Sequence, residues 1–324
     1  MGIFDKRVNF KPFEYPEVVA FGEAIQHAYW LHHEWNFISD ISEFHSYLTT
    51  KEKTAVKRAM LAISQIEVAV KKFWSKIGIV FPKPEIDQVG AIFAESEVRH
   101  SNAYSFLLEK LGLNKEFEQL LEIPEIKGRV EYLTKYLEYV DQEDKSKFSI
   151  ALALFSLFVE NVSLFSQFVI IKSFNKYKNL LKDIDNVIQA TMVEEQVHAN
   201  FGIWLLNKVK EEHPNIFNED FYNKINTTCI KAYEAEKKII NWILEEGDLS
   251  FLTKTTLNEF LKHRFNESLI KIGGIKLFDV DYKELQKLNW FFEELIGKVH
   301  TDFFHKKSTN YSKKTKSVTA DDLF

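Results

Sequence analysis

The sequence predicts an all-α protein, a bundle of long helices packed around one large core. Two features of composition predict it. Only 6 prolines and 11 glycines are spread over 324 residues, so helices can run far without a breaker. Hydrophobic residues make up 45% of the chain, ample for a substantial interior. A third observation is one of pattern: a helix with one carboxylate among apolar residues is followed by a helix bearing Glu-x-x-His, and this order occurs twice.

Along the chain, residues 1–20 read as irregular, with a helix beginning near residue 21 and including Trp30. Ser39, Asp40 and Ser42 serve as caps before a short element. From Thr49 or Thr50 a long helix runs to about residue 78, with Glu52 favourably placed near its start. Pro82 and Pro84 punctuate the next link, and 86–111 form a second long helix that stops at Leu111-Gly112. Shorter helices fill 114–141, broken near Pro124 and near Gly128, and the charged run 141–145 is a surface link. An apolar helix at 148–174, a basic link at 176–182 and a helix at 183–212 closed by Pro214 follow. Later helices are expected at 219–246, 253–271 and 283–305. Residues 1–305 therefore read as a single helical domain, and 306–324, polar and basic before the terminal TADDLF, as a flexible tail.

Lys plus Arg number 42 and Asp plus Glu 47, a formal charge of −5 that gives no reason to expect nucleic-acid binding. The single cysteine, Cys229, excludes an intrachain disulfide framework and any site built from several thiolates. The first residues, MGIFDKRVNFKPFEYPEV, carry charges and prolines where a signal peptide needs an apolar run, so the cytoplasm is the expected location. The stretch 148–171 carries a single charge, Glu160, and is long enough to span a bilayer. Glu160 beside Asn161 near its middle argues for a helix buried by neighbouring helices instead.

The repeated pattern consists of Glu67 followed by Glu97 and His100, then Glu160 followed by Glu195 and His198. Residues three apart share a helix face, so each Glu and His pair can serve one ion. Four such helices facing one another bring four carboxylates and two imidazoles to one centre, the ligand arrangement of bundle proteins holding two iron or two manganese ions. Carboxylate oxygens can bridge a pair of ions, while each imidazole offers its second nitrogen to an outer partner. Zinc fits less well without thiolates or an HExxH motif, and calcium disfavours imidazole. Taken singly, a Glu-x-x-His pair is usually a solvated helix pair, and a buried carboxylate usually has an Arg or Lys partner. Glu194, four before His198, can also face inward; Glu195 is the expected ligand and Glu194 the acceptor behind it. Tyr104, two turns beyond Glu97 on the same face, is either a core tyrosine or a one-electron donor to the metals.

The segment Glu97-Val98-Arg99-His100-Ser101-Asn102-Ala103-Tyr104 resembles the E-x-x-H-S-x-x-Y signature of the small subunit of class I ribonucleotide reductases. The likeness continues through Glu67, Glu160, Glu195 and His198 to the C-terminus. It implies a ferritin-like helical homodimer that stores an oxidant generated with oxygen or superoxide and passes it to a separate large catalytic subunit. The metal ligands would be Glu67, Glu97, His100, Glu160, Glu195 and His198, and Tyr104 would match the radical tyrosine. Trp30, with Trp35 the weaker candidate, would match the tryptophan of the transfer route. Glu194 would take the place of the aspartate joining that tryptophan to His100, and Tyr311 that of the relay tyrosine between subunits. In TADDLF, Leu323 and Phe324 would be the apolar anchors for the large subunit, and Asp321 and Asp322 the polar ones. Glu67 and Glu194 where aspartate is usual suggest a less typical branch of the family, some branches of which use manganese, and Leu164 stands where an aromatic is often found. The resemblance admits an Mn/Mn, Fe/Fe or mixed Mn/Fe pair and a flavoprotein supplying the oxidant. Two other readings compete: a dimetal oxidase or hydroxylase on the same scaffold, and an iron-storage protein.

Overall fold

The computed structural model describes residues 2–140 and 144–295. Its helices are α1 (Val19–His27), α2 (Ile38–Ser46), α3 (Thr50–Trp74), α4 (Ile77–Val80), α5 (Pro84–Lys110), α6 (Asn114–Glu118), α7 (Pro124–Leu137) and α8 (Lys145–Ala153). A π-helical segment, Leu154–Ser163, joins α8 to α9 (Leu164–Lys178). Then come α10 (Lys182–Glu212), α11 (Glu219–Ile243), α12 (Lys254–Lys271) and α13 (Tyr282–Leu285). No strand is found among the described residues, only an isolated bridge between Leu249 and Leu252.

Local chemistry explains most of the boundaries. Thr49 and Glu52 form a reciprocal capping box at the start of α3, with Glu52 N donating to Thr49 Oγ1 and Thr49 N to Glu52 Oε2. Helix α5 opens on Pro84, whose missing N–H has no helical role there, and stops where Gly112 adopts φ +74°. Asp144 in the charged link caps α8, accepting from Ser146 N and Lys147 N at 3.0 and 3.1 Å. The apolar helical run therefore begins at Lys145, and it continues to Lys178 rather than ending at 174.

Several expectations change. Trp30 lies beyond the end of α1, in the link before a 3-10 turn at His32–Glu34, where its ring is engaged by α5. No break occurs at Gly128: α7 runs through it, because Ile126, Arg129 and Leu133 are buried and outweigh the ~1 kcal/mol that a glycine costs a helix. Asp40 lies inside α2 and caps another helix: Ile184 N at the start of α10 donates to it at 2.7 Å, while Phe37 N donates to Asp183 at 3.1 Å. Two helix starts thus cap each other across the fold. The 283–305 helix is described only to residue 295, and Tyr311, Asp321, Asp322, Leu323 and Phe324 lie outside the described residues.

Helix α3 packs on α5, α7, α9 and α11, and α10 packs on α1, α5, α9 and the π segment. The π segment is itself flanked by α11 and α12. The hydrophobic window of the 34-residue run Lys145–Lys178 is entirely buried in this packing. Gly202 sets one close approach, since a Cβ there would fall 2.1 Å from the Ser156 side chain, so only glycine lets α10 lie this close to the π segment.

Candidate metal centre

Four helical stretches converge: α3 brings Glu67, α5 brings Glu97 and His100, the π segment brings Glu160, and α10 brings Glu195 and His198. All six side chains are fully buried. They fall into two groups, Glu67, Glu97, His100 and Glu195, and Glu97, Glu160, Glu195 and His198, whose donor atoms lie within 4.8 Å of one another in each.

Glu97 and Glu195 belong to both groups, and each divides its oxygens between the two imidazoles. Glu97 Oε2 is 3.3 Å from His100 Nδ1 and its Oε1 is 3.0 Å from His198 Nδ1. Glu195 Oε1 is 3.1 Å from His100 Nδ1 and its Oε2 is 3.4 Å from His198 Nδ1. Glu67 stands on the His100 side at 3.7 Å, and Glu160 on the His198 side at 3.6 Å. Two carboxylates between two half-sites, each closed by one further carboxylate and one imidazole, suit a pair of cations.

Electrostatics point the same way. Burial, and then Glu97, push Glu67 well above the ordinary carboxylate range, and burial pushes Glu160 up to about 8. Burial alone would raise Glu97 too, but His100 and His198 together outweigh it and pull it down. Both imidazoles are raised because the surrounding carboxylates overcome their desolvation. Among the described residues, both oxygens of Glu67 and of Glu195, Glu97 Oε1, Glu160 Oε2 and His198 Nδ1 have no hydrogen-bond partner. Orphaned buried donors of this kind, all directed at one place, are what bound metal ions would satisfy.

The outer nitrogens are held differently. His100 Nε2 donates to Glu194 Oε2 at 2.7 Å, whereas Ser96 Oγ gives its proton to Phe93 O and so accepts from His198 Nε2 at 3.0 Å. Both tautomers leave Nδ1 facing the cluster. Glu194 thus sits behind His100, and its other oxygen receives Arg99 Nη1 at 3.0 Å. Trp30 makes no hydrogen bond to Glu194; its Nε1 has no partner among the described residues. Its indole instead stacks on the His100 ring, centroids 5.8 Å apart and planes 16° off parallel. The Arg99 guanidinium lies over both Trp30 and Tyr29. Trp35 meets Trp30 edge-on at 5.4 Å. Tyr104 is buried and donates to Thr191 Oγ1 at 3.1 Å, and burial keeps its phenol protonated. Leu164, just past the π segment, is fully buried.

Besides Ser96 and Thr191, which hold His198 and Tyr104, two further contributors escaped the sequence reading. Arg99 sits inside the Glu-x-x-His motif, where it passes for a spacer. Trp74, two turns after Glu67 on α3, donates its indole N–H to Glu160 Oε1; its spacing from Glu67 was the available signal.

Comparison with known proteins agrees with this geometry. A family model described as ribonucleotide reductase, small chain, matches residues 7–287. A probable ribonucleoside-diphosphate reductase small subunit of Invertebrate iridescent virus 3 is 26% identical over 330 residues, covering 97% of this chain and 86% of the viral protein. The ribonucleoside-diphosphate reductase subunit beta of Chlamydia pneumoniae is 25% identical over 238 residues, 70% of this chain and 67% of the relative. In fold, the chain is similar to the ribonucleotide reductase R2 subunit of Clostridium botulinum (TM-score 0.81, 16% identity, 91% of this chain and 94% of the other). It is also similar to an R2-like ligand-binding oxidase with a reconstituted Mn/Fe cofactor (TM-score 0.68, 18% identity, 82% and 95%). These likenesses place the helices in the ferritin-like bundle architecture.

Proposed function

The chain belongs to the ribonucleotide reductase small-chain family, the partner of a large reductase subunit, and we propose that its buried cluster holds the two metal ions that start nucleotide reduction there. One observation carries the reading: four carboxylates and two imidazole Nδ1 atoms converge in a fully buried place with most of their donor atoms unpartnered. Glu67, Glu97, His100, Glu160, Glu195 and His198 would hold the ions, with Glu97 and Glu195 common to both half-sites. The donor set suits manganese and iron alike, singly or mixed. When bound, such a pair supplies one-electron oxidising power after reaction with oxygen or superoxide.

The protein's own residues do the rest. The apolar walls exclude water, so the charges inside interact strongly and side reactions are suppressed. Thr191 holds the Tyr104 hydroxyl and fixes the ring beside the cluster, where Tyr104 can donate an electron. Glu194 holds the proton on His100 Nε2, and Arg99 fixes Glu194 from behind. Trp30, stacked on His100, is the oxidisable ring through which oxidising equivalents leave toward the large subunit. The remaining partners follow the resemblance: a cytoplasmic homodimer, a 306–324 segment that docks on the large subunit with Tyr311 as relay, and a flavoprotein as oxidant source in a manganese form.

The test is electron paramagnetic resonance on protein loaded with iron, manganese or both and exposed to oxygen or superoxide, with Tyr104→Phe alongside. A narrow tyrosyl signal absent from Tyr104→Phe is expected if the phenol stores the oxidant. A metal-coupled signal surviving the substitution assigns storage to the ions. Failure to bind close to two ions per chain sinks the reading.

A further inference from the structure

At the His198 end of the cluster, away from Trp30, aromatic side chains continue from Glu160 to the surface. Trp74 Nε1 donates to Glu160 Oε1. The Trp74 indole lies against Phe201 with centroids 5.9 Å apart, and Phe201 stacks on Trp204 at 6.4 Å with planes 6° apart. Trp204 meets Tyr15 edge-on at 5.8 Å. Tyr15 donates its hydroxyl to Glu212 Oε1 at 2.8 Å, and both residues line an open cleft of about 630 Å³ together with Arg7, Lys11 and Glu14.

Trp74, Trp204 and Tyr15 are one-electron donors by chemistry, and Phe201 is the short bridge between the two indoles. The outer end is equipped for coupled proton movement. Lys83 and Lys208 each place an ammonium 5.9 Å from the Tyr15 ring, which makes loss of an electron without loss of a proton costly. The Glu212 carboxylate is in position to take that proton. Packing alone would account for the rings, but not for an indole N–H on a cluster carboxylate at one end and a carboxylate on the phenol at the other.

We propose that Trp74, Trp204 and Tyr15 form a second electron route, through which a small polar one-electron reductant in the cleft returns the oxidised centre to its reduced state. The proposal rests on the dimetal reading above. An electron leaves Tyr15 and passes through Trp204 and Trp74 into the oxidised centre, while the phenolic proton moves from Tyr15 Oη to Glu212 Oε1. The reductant, of the ascorbate or hydroxylamine class, then gives one electron to the Tyr15 radical, the proton returns from Glu212 to Oη, and the reductant departs one electron oxidised. Tyr15 is only 6% exposed, so the cleft is the approach to it.

The experiment uses the full chain loaded and oxidised as above, with ascorbate or hydroxylamine then added while the absorption and paramagnetic signals of the stored oxidised state are followed. Tyr15→Phe and Trp204→Phe are expected to slow the loss of that state by about tenfold or more, with metal content, yield of the oxidised state and helical circular dichroism unchanged. Trp204→Tyr, which keeps an oxidisable ring, restores the rate. Repeated oxidation without reductant should leave oxygenated Trp204 and Tyr15 in peptide mass spectra, with Tyr15 spared in Trp204→Phe. Equal loss rates in wild type and both Phe variants, with the oxidised state formed normally, overturn the second route alone. A chain that stores no oxidised state with any metal overturns both this route and the dimetal reading.

Discussion

Residue chemistry decides which groups face the cluster and which support it. Glu194 and Glu195 are adjacent on α10, yet Glu195 spans both imidazoles while Glu194 lies behind His100, because neighbouring residues of a helix point about 100° apart. Arg99 is the residue that the motif concealed. A carboxylate longer than the expected aspartate stands at position 194, and its second oxygen goes to Arg99, which in turn covers the Trp30 ring. The link from the cluster to Trp30 is consequently a ring stack on His100 in place of a hydrogen-bonded relay. Trp30→Phe keeps an aromatic ring on His100 and removes the easily oxidised indole. It is expected to leave metal loading and formation of the oxidised state intact while nucleotide reduction with the large subunit falls by about 10² or more; turnover at the wild-type rate would remove Trp30 from the route.

At the scale of elements, the π segment is the decisive departure from regular helix. Its carbonyls at Asn161 and Leu157 are taken by α12: Arg264 Nε donates to Asn161 O at 2.6 Å, Arg264 Nη2 to Asn161 Oδ1 at 2.7 Å, and Ser268 Oγ to Leu157 O at 3.3 Å. Asn161 Nδ2 completes the clamp by donating to Ser268. Glu160 is the neighbour of the clamped residue, so α12, which brings no side chain to the cluster, helps fix where Glu160 sits. Arg264→Met leaves two buried acceptors on Asn161 without their donor, at a cost of ~1–3 kcal/mol in stability. Denaturant unfolding should register that loss, and metal titration should show weakened binding of one ion more than of the other. Unchanged affinity for both ions would reduce the clamp to a structural contact. Hydrophobic periodicity and caps made most helices legible in advance, whereas the π geometry was not, and the guanidinium that takes its Asn161 carbonyl lies more than 100 residues away in sequence.

For the whole molecule, the question is how a buried oxidant communicates with a partner. Residues 306–324 are where the resemblance places the docking peptide, with Leu323 and Phe324 as anchors. Deleting the last ten residues should leave metal content and the oxidised state unchanged while binding to the large subunit weakens by at least about tenfold, as read by calorimetry or sedimentation. Retained binding would point to the competing reading of a self-contained oxidase. By itself, the sequence determined that the chain is helical and that Glu67, Glu97, His100, Glu160, Glu195 and His198 form a repeated set, local or periodic properties written in spacing and composition; the reductase chemistry came from the resemblance of the segment 97–104 to a known family. Only the tertiary structure decided that Trp30 stacks on His100 outside any helix, that Arg99 braces Glu194 behind His100 and Ser96 holds His198, that Trp74 holds Glu160, and that α12 clamps the π turn. Each of these depends on contact between residues distant in sequence, and no spacing along one helix encodes which side chain a neighbouring helix will place against it.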